Sequence, residues 1–170
     1  MDRLSKKILK ELLPAEKEVI PEAARAHGLG RNPVGHLDHW SPAILLERAA
    51  YLRKLARQGD GSASETLKEY PRHFTMLAFR SRSGGGELHQ NFADLFYILD
   101  GHATLTTGGE VVDPTTAAPG EIRGASVTGG TSQELRRGDV VHIPACQPHQ
   151  MLVAESESVT YFVVKIQEGQ

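Results

Sequence analysis

Two segments of this 170-residue chain contain side chains of the types that bind divalent metal ions. His89 and Asn91 are two positions apart, so both face the same side if the segment is a strand, and Asp94 follows after a short link. His149 comes much later, after a loop that two prolines stiffen. Imidazole nitrogens and carboxylate oxygens suit a borderline divalent metal and leave coordination positions for water or substrate. The sequence therefore predicts a metal site, provided that the fold brings the two segments together.

The N-terminal part of the chain, residues 1–70, has a helical and charged pattern. A first amphipathic helix is expected before Pro14, which would end it. A second helix is better marked, because Ser41 is a suitable N-cap residue and Pro42 suits the first helical position. Gly59 lies where many helices end on a glycine in the left-handed conformation. We therefore expect a helical extension over residues 1–70.

From residue 71 to residue 170 the pattern changes to short strands separated by glycine-containing turns. The dipeptide Gly108–Gly109 is typical of a hairpin turn, so residues 110–112 are expected to return beside the strand that precedes it. Short strands at close spacing are typical of an all-β sandwich or barrel, which we predict for residues 71–170. The strands are expected at residues 73–79, 95–99, 102–107, 110–112, 140–143 and 159–165.

Composition and charge exclude several classes of function. The chain has 19 Lys+Arg and 21 Asp+Glu, a net charge of −2, which is not the basic surface that non-specific nucleic-acid binding needs. The longest charge-free run, from Val140 to Ala154, is shorter than a membrane-spanning helix requires. Because Cys146 is the one cysteine, no internal disulfide forms, and a reducing compartment is acceptable. No signal-peptide core is recognisable near the N-terminus, so we expect a cytoplasmic protein without nucleic-acid or membrane partners.

The segment that presents His149 resembles the second sequence motif of the cupin superfamily. Gly138, Pro144 and His149 lie at the spacings that this motif requires. The match has two departures, since Cys146 replaces the usual glycine and Val153 replaces the usual asparagine.

The segment around His89 is similar to the first cupin motif in a degenerate form. His89 takes the position of the first histidine, Asn91 replaces the second, and Asp94 replaces the glutamate. The link between Asn91 and Asp94 is shorter than in the family, and an alternative register would place Leu88 and Gln90 at the ligand positions. The first register is preferred because turns between strands tolerate length changes and because it uses the available histidine.

The resemblance covers residues 72–166, and it implies a mainly β protein: a double-stranded β-helix, also called a jelly roll or cupin barrel, with an N-terminal helical extension. It implies that His89, Asn91, Asp94 and His149 converge inside the barrel. The two histidines and the aspartate resemble the facial triad of non-haem iron enzymes, and Asn91 would be a weak fourth ligand or hold a water molecule. Cupins use iron, manganese, nickel, zinc or copper, so the resemblance implies a divalent metal without naming it.

Five further residues are candidates for the substrate pocket. Glu87 shares the strand face of His89, which makes it an acid/base group, a ligand or a solvated charge at the strand edge. The other four are apolar or aromatic and would line the pocket or form the core: Phe96, Ile98, Met151 and Tyr161.

Two functions are compatible with these expectations. The first is a metalloenzyme of the oxygenase, isomerase or lyase type that acts on a small organic molecule. The alternative is a non-catalytic barrel that binds or senses a small ligand without metal. Since cupin barrels commonly pair through their sheets, we expect a homodimer, with residues 1–70 contributing to its surface.

Overall fold

The computed structural model describes residues 37–168 of the chain. Contacts between residues divide the chain into two units, Met1–Asp38 and His39–Gln170. The helix and the strands of the described residues all belong to the second unit. The first predicted helix, before Pro14, lies outside the described residues.

The second predicted helix is confirmed as α1 (Pro42–Gln58). Its N-terminus is capped as expected, because the Ser41 hydroxyl accepts a hydrogen bond from the Ile44 backbone N–H at 3.3 Å. The expectation for Gly59 is wrong: its φ is −117°, and the positive φ occurs instead at Gly61. Within residues 37–168, no helix is both long enough and apolar enough to cross a membrane.

The buried face of α1 packs against the outer side of a β-sheet. Every third or fourth residue of the helix is buried, as expected for an amphipathic helix on a sheet. Its partners include Leu77 and Phe79 of the second strand and Leu99 of the fourth. The buried helix residues are Leu45, Ala49, Leu52 and Ala56.

The described residues after α1 form β-strands, which confirms the mainly β prediction. The first strand differs from the prediction, because residues 62–69 were expected to be helical and instead pair with the second strand. The strands are β1 (Ser62–Glu69), β2 (His73–Arg80), β3 (Gly86–His89), β4 (Phe92–Thr107), β5 (Glu110–Val112), β6 (Thr115–Ala118), β7 (Glu121–Gly124), β8 (Ser126–Thr128), β9 (Thr131–Arg136), β10 (Val140–Ile143), β11 (His149–Leu152) and β12 (Val159–Gln167).

Strand β4 connects the two halves of the barrel. Its first half pairs with β12 and β10, and its second half pairs with β11 and β9. The strand path is β1-β2-β12-β4-β11-β3-β7-β6, and all ladders are antiparallel. The sheet therefore curls around one interior, and the predicted double-stranded β-helix is confirmed.

The long strand β4 was expected as two strands, at 95–99 and 102–107. Gly101 lies between them with a φ of +76°, and a Cβ there would collide with the Ser158 carbonyl oxygen. Gly101 therefore bends β4 without ending it, so that one strand pairs in both halves of the barrel.

The hairpin expected at Gly108–Gly109 does not form. Both glycines have positive φ, at +81° and +67°, so the chain does turn there. However, β5 then pairs with β8 in a separate two-stranded sheet, while β9 takes the place beside β4.

The barrel interior is apolar below one polar layer. On the neighbouring, hydrogen-bonded strands β4 and β12, Val163 is paired with Phe96, and Tyr161 is paired with Ile98. All four side chains are buried in one hydrophobic cluster. Two residues farther along these strands, the next inward-facing pair is Asp94 and Lys165. At this pair the interior changes from apolar to charged side chains.

Candidate metal centre

Four side chains bring atoms that could bind a metal ion close together at this end of the barrel interior. His89 Nε2 and His149 Nε2 lie 3.4 and 3.6 Å from Asp94 Oδ2. Glu87 Oε2 lies 3.6 Å from His89 Nε2 and 4.0 Å from His149 Nε2. The structure thus brings together the two histidines and the aspartate that the sequence singled out. It also places beside them Glu87, for which the sequence left open the roles of ligand, acid/base group and solvated charge.

Strand register explains why these residues meet. His149, the first residue of β11, is paired with Glu87 of β3, and the alternation of side chains places Glu87 and His89 on the same face. Strand β4 contributes Asp94 from the neighbouring part of the curled sheet. Three strands therefore fix the four side chains, and no long loop is involved.

Asn91 does not join this group, contrary to the ligand set that the resemblance implied. Its residue is exposed, and its backbone carbonyl accepts a hydrogen bond from the Glu168 N–H at 3.1 Å. The cause is that β3 ends at His89, so the two-residue alternation no longer holds at Asn91. Glu87, two residues before His89 rather than after it, still lies on the strand.

His89 is held in one tautomer by a carboxylate. Its Nδ1 lies 2.7 Å from Glu121 Oε2, and the two residues are directly paired between β3 and β7. Because a carboxylate only accepts, Nδ1 is the donor, and because the Lys165 ammonium 2.7 Å from Nε2 only donates, Nε2 keeps its lone pair. Arg123 holds Glu121 in turn, with Nη2 3.1 Å from the same carboxylate oxygen.

His149 is oriented by the backbone. Its Nδ1 donates to the Gln147 carbonyl oxygen at 3.0 Å, which again leaves the Nε2 lone pair directed at the cluster. Burial lowers the pKa of His149 below its usual value of 6.5, although the Gln147 carbonyl and the nearby carboxylates act in the opposite direction. The neutral imidazole that a metal ion requires is therefore the favoured form.

Asp94 is buried, with 2 % of its surface exposed, and it is ionised. Burial alone would raise the pKa of its carboxyl group, but the charge and the hydrogen bond of the Lys165 ammonium act in the opposite direction, and the pKa is lowered. Lys165 Nζ lies 2.8 Å from Asp94 Oδ2 and 2.6 Å from Oδ1, yet Oδ1 receives no hydrogen bond of good geometry.

Glu87 and two arginines form the more exposed rim of the cluster. Arg80 Nη2 lies 3.4 Å from Glu87 Oε1, and Arg123 Nη1 lies 3.5 Å from Glu87 Oε2. Arg80 Nε also donates to the Tyr161 hydroxyl at 3.1 Å. About a quarter of the Glu87 side chain is exposed, whereas His89 and His149 are almost fully buried, so the cluster opens toward solvent on the Glu87 side.

The other predicted pocket residues are packed core. Phe96, Ile98, Met151 and Tyr161 are each at most 6 % exposed. The rings of Phe96 and Tyr161 are 5.1 Å apart, which is ordinary contact between aromatic side chains. They form the floor under the polar cluster.

An apolar groove of about 310 Å³ lies elsewhere, between α1 and the sheet strands β4, β10 and β12. None of the predicted pocket residues lines it. Its lining consists of Trp40, Pro42, Leu45, Leu95, Tyr97, Leu99, Val140, Phe162 and Val164.

Sequence reasoning missed Lys165, although a signal for it was present. Along β12 the inward positions are Val159, Tyr161 and Val163, all buried, and the same two-residue step leads to Lys165. A lysine in an inward row is unusual enough to mark a polar site. Glu121 lies in a segment without a clear periodic pattern and gave no comparable signal.

Cys146 replaces the glycine that is usual at this position of the second motif, and its backbone conformation shows how the replacement is accommodated. Its φ is +63°, a conformation that favours glycine, and its backbone N–H donates to the His89 carbonyl at 2.7 Å. The residue is exposed, and its turn leads the chain toward His149. The cysteine thus retains the left-handed turn for which a glycine is better suited.

Comparison with known proteins found similarity between this chain and solved structures. No protein-family model matches the chain, and no curated protein does either. The polyketide cyclase RemF from Streptomyces resistomycificus is similar over 64% of this chain, with 18% identity and a TM-score of 0.46. A chain from the structures of the DMSP lyases RdDddP and RnDddQII matches over 64%, with 13% identity and a TM-score of 0.46. An uncharacterised conserved protein with a double-stranded β-helix domain from Klebsiella pneumoniae matches over 62%, with 13% identity and a TM-score of 0.47.

The matched region corresponds to 66%, 48% and 76% of those three chains, so this chain spans less than two thirds of the first two. The classification of the fold rests on the molecule's own topology, in which one antiparallel sheet curls on itself and β4 belongs to both halves. The fold is a double-stranded β-helix. Within this barrel, the cluster lies on the strands that contain the two sequence motifs.

The donor set of this barrel suits a divalent metal ion. A tetrahedral site with bonds of about 2.0–2.1 Å has ligand atoms roughly 3.3 Å apart. The nitrogen–oxygen separations of 3.4, 3.6, 3.6 and 4.0 Å are close to this value and slightly wider. Within residues 37–168, Glu87, His89 and His149 form a group whose ligand atoms all lie within 4.8 Å of one another.

Proposed function

We propose that the barrel binds one divalent metal ion through His89, His149, Asp94 and Glu87, and that the protein is an enzyme that acts with this metal on a small organic molecule. The observation that supports this proposal is that each of the two imidazole nitrogens lies 3.4 to 4.0 Å from a carboxylate oxygen of Asp94 and from one of Glu87. Iron, manganese, nickel and zinc all accept such a donor set.

When bound, the metal would supply Lewis-acid chemistry or a position for O2, as oxygenases, isomerases and lyases require. The protein's own groups prepare the site. Glu121 and the Gln147 carbonyl fix both imidazoles with Nε2 inward, and Arg80 and Arg123 restrain Glu87. The buried floor of Phe96 and Tyr161 excludes water from below, so a substrate would approach from the Glu87 side.

A bound-metal measurement tests this proposal. The protein is incubated with Fe(II), Mn(II), Ni(II) or Zn(II) in turn, desalted, and analysed for metal by mass spectrometry. We expect about one ion per chain in the wild type, and loss of that ion in His149→Ala. The matched control is His142→Ala, since His142 is exposed on β10 and lies outside the cluster. A wild type that retains none of the four metals would contradict the proposal.

One observation favours a second function, a barrel that binds a small ligand without metal. The Lys165 ammonium already lies among the donor groups, 2.7 Å from His89 Nε2. In that case, metal-free protein would bind small acids or phenols in calorimetric titrations, and added metal would not change the affinity.

We also propose that the protein is cytoplasmic, in line with its single cysteine, and that it forms a homodimer, as the cupin resemblance implies. Size-exclusion chromatography with light scattering at micromolar concentration tests the dimer directly. A mass of one 18.5 kDa chain would contradict it.

A further inference from the structure

The Lys165 ammonium contacts two of the four proposed metal ligands, His89 and Asp94. Its Nζ lies 2.7 Å from His89 Nε2, 2.8 Å from Asp94 Oδ2 and 2.6 Å from Asp94 Oδ1. The side chain is 14% exposed and comes from β12, directly opposite Asp94 on β4. A strand position, not a mobile loop, therefore brings this cation to the cluster.

The contact with His89 bears directly on metal binding. The Glu121 carboxylate fixes the proton of His89 on Nδ1, so Nε2 offers one lone pair. An ammonium group has donors and no lone pair, and it uses the Nε2 lone pair as its acceptor. A metal ion bound to His89 requires the same lone pair, so Lys165 and the metal compete for one position.

Charge leads to the same conclusion. The cluster and its immediate partners contain three carboxylates, from Glu87, Asp94 and Glu121, and two guanidinium groups that pair with Glu87 and Glu121. Lys165 supplies the remaining positive charge and pairs with Asp94. Since the charges of this group already balance, a divalent cation is accommodated best if the ammonium leaves.

We propose that Lys165 is an internal cation that holds the metal-free site closed, and that a metal ion binds only by displacing its ammonium from His89 and Asp94. This inference rests on the proposed function and concerns the regulation of the same site. The flexible four-carbon stem of lysine permits such a displacement without movement of β12.

The test compares Zn(II) affinity in the wild type and in Lys165→Met, measured by competition with a chromophoric chelator after chelator treatment and desalting. We expect Lys165→Met to bind Zn(II) at least tenfold more tightly than the wild type. The matched control is Lys68→Met, because Lys68 is an exposed strand residue on β1, and it is expected to leave the affinity unchanged. An equal or weaker affinity in folded Lys165→Met would overturn the inference.

A second variant and a second measurement keep the inference testable if Lys165→Met folds poorly. Lys165→Gln also removes the charge and is expected to tighten Zn(II) binding. Lys165→Arg retains the charge and is expected not to tighten Zn(II) binding.

Thermal denaturation is the second measurement. Without metal, Lys165→Met is expected to melt below the wild type, and Zn(II) is expected to raise its melting temperature by more than that of the wild type. Melting temperatures that do not differ in either condition would contradict the inference.

The outcomes separate this inference from the proposed function. If Lys165→Met binds Zn(II) and the wild type binds no metal at all, Lys165 blocks the site as inferred and the proposed metalloenzyme is contradicted. If the wild type binds Zn(II) through His149 and Lys165→Met binds no better, the metal site is supported and the inference is overturned. If neither folded protein binds metal, both are overturned.

Discussion

Glu121 and His89 are directly paired between β7 and β3, and the carboxylate Oε2 lies 2.7 Å from the imidazole Nδ1. The carboxylate fixes the tautomer and the ring orientation of a histidine that offers its other nitrogen to the cluster. Carboxylate partners of this kind commonly tune histidine metal ligands. Glu121 is thus a positioning residue for the candidate site.

Glu121→Gln should therefore weaken metal binding without abolishing it. We expect the Zn(II) dissociation constant to rise by about 10–100-fold, because a neutral amide holds the imidazole less well and lowers its basicity. Chelator competition measures the effect. The control is Glu134→Gln, since Glu134 on β9 is exposed and pairs with Arg136, away from the cluster. Equal dissociation constants in Glu121→Gln and the wild type would remove Glu121 from the site.

Asp94→Asn should destabilise the metal-free protein. The substitution leaves the Lys165 ammonium without its carboxylate partner in a largely buried position, and removal of one partner from a buried ion pair costs about 3–5 kcal/mol. Urea denaturation in the presence of a chelator measures the free energy of unfolding. Asp100→Asn is the matched control, because Asp100 is exposed on the same strand, and a change within about 0.5 kcal/mol is expected.

The double variant Asp94→Asn with Lys165→Met tests the coupling between these two residues. Because each charge is costly mainly when the other is absent, the combined loss should be smaller than the sum of the single losses. Strictly additive losses would show that the two side chains do not interact in solution.

Ile98→Ala should be among the more costly changes in the barrel floor. Ile98 is 0 % exposed in the interior cluster, and truncation of such a residue costs about 2–5 kcal/mol. Ile44→Ala on α1 is the control, because Ile44 is 41 % exposed and should change stability by less than about 1 kcal/mol. Similar losses in both variants, measured by urea denaturation, would contradict the assignment of the interior.

Cys146→Gly should stabilise the protein slightly. Glycine adopts the observed φ of +63° without steric cost, and we expect a gain of about 0.5–1 kcal/mol in the free energy of unfolding. Cys146→Val should have the opposite sign, because a β-branched side chain is strained in that conformation. A loss of stability in Cys146→Gly would show that the weak contact from Sγ to the Gln90 carbonyl, at 3.5 Å, matters more than backbone strain.

The sequence was most informative where local chemistry decides the structure. The Ser41 cap, the helix after it and the strand beginning at His73 follow from capping and alternation, which depend on near neighbours. The motif around His149 also identified the barrel and one inward histidine, because spacing within a tight loop is a local property.

Long-range pairing limited the rest of the prediction. The Gly108–Gly109 turn is real, but its chemistry does not reveal that β5 pairs with β8 instead of β4. In the site, Asn91 was misplaced because the end of β3 at His89 is not visible in the residue pattern. Glu121 and Lys165 reach the cluster only through the pairings of β7 with β3 and of β12 with β4.

The proposed function depends above all on a divalent metal ion that binds between His89, His149, Asp94 and Glu87. Its sharpest test is a crystal structure of protein incubated with Zn(II), with anomalous diffraction recorded at the zinc edge. We expect one strong peak about 2.0–2.2 Å from both Nε2 atoms and within bonding distance of at least one of the two carboxylates. An anomalous map without a peak at this place, with the Lys165 ammonium still in contact with His89 and Asp94 at millimolar zinc, would contradict metal binding by this barrel.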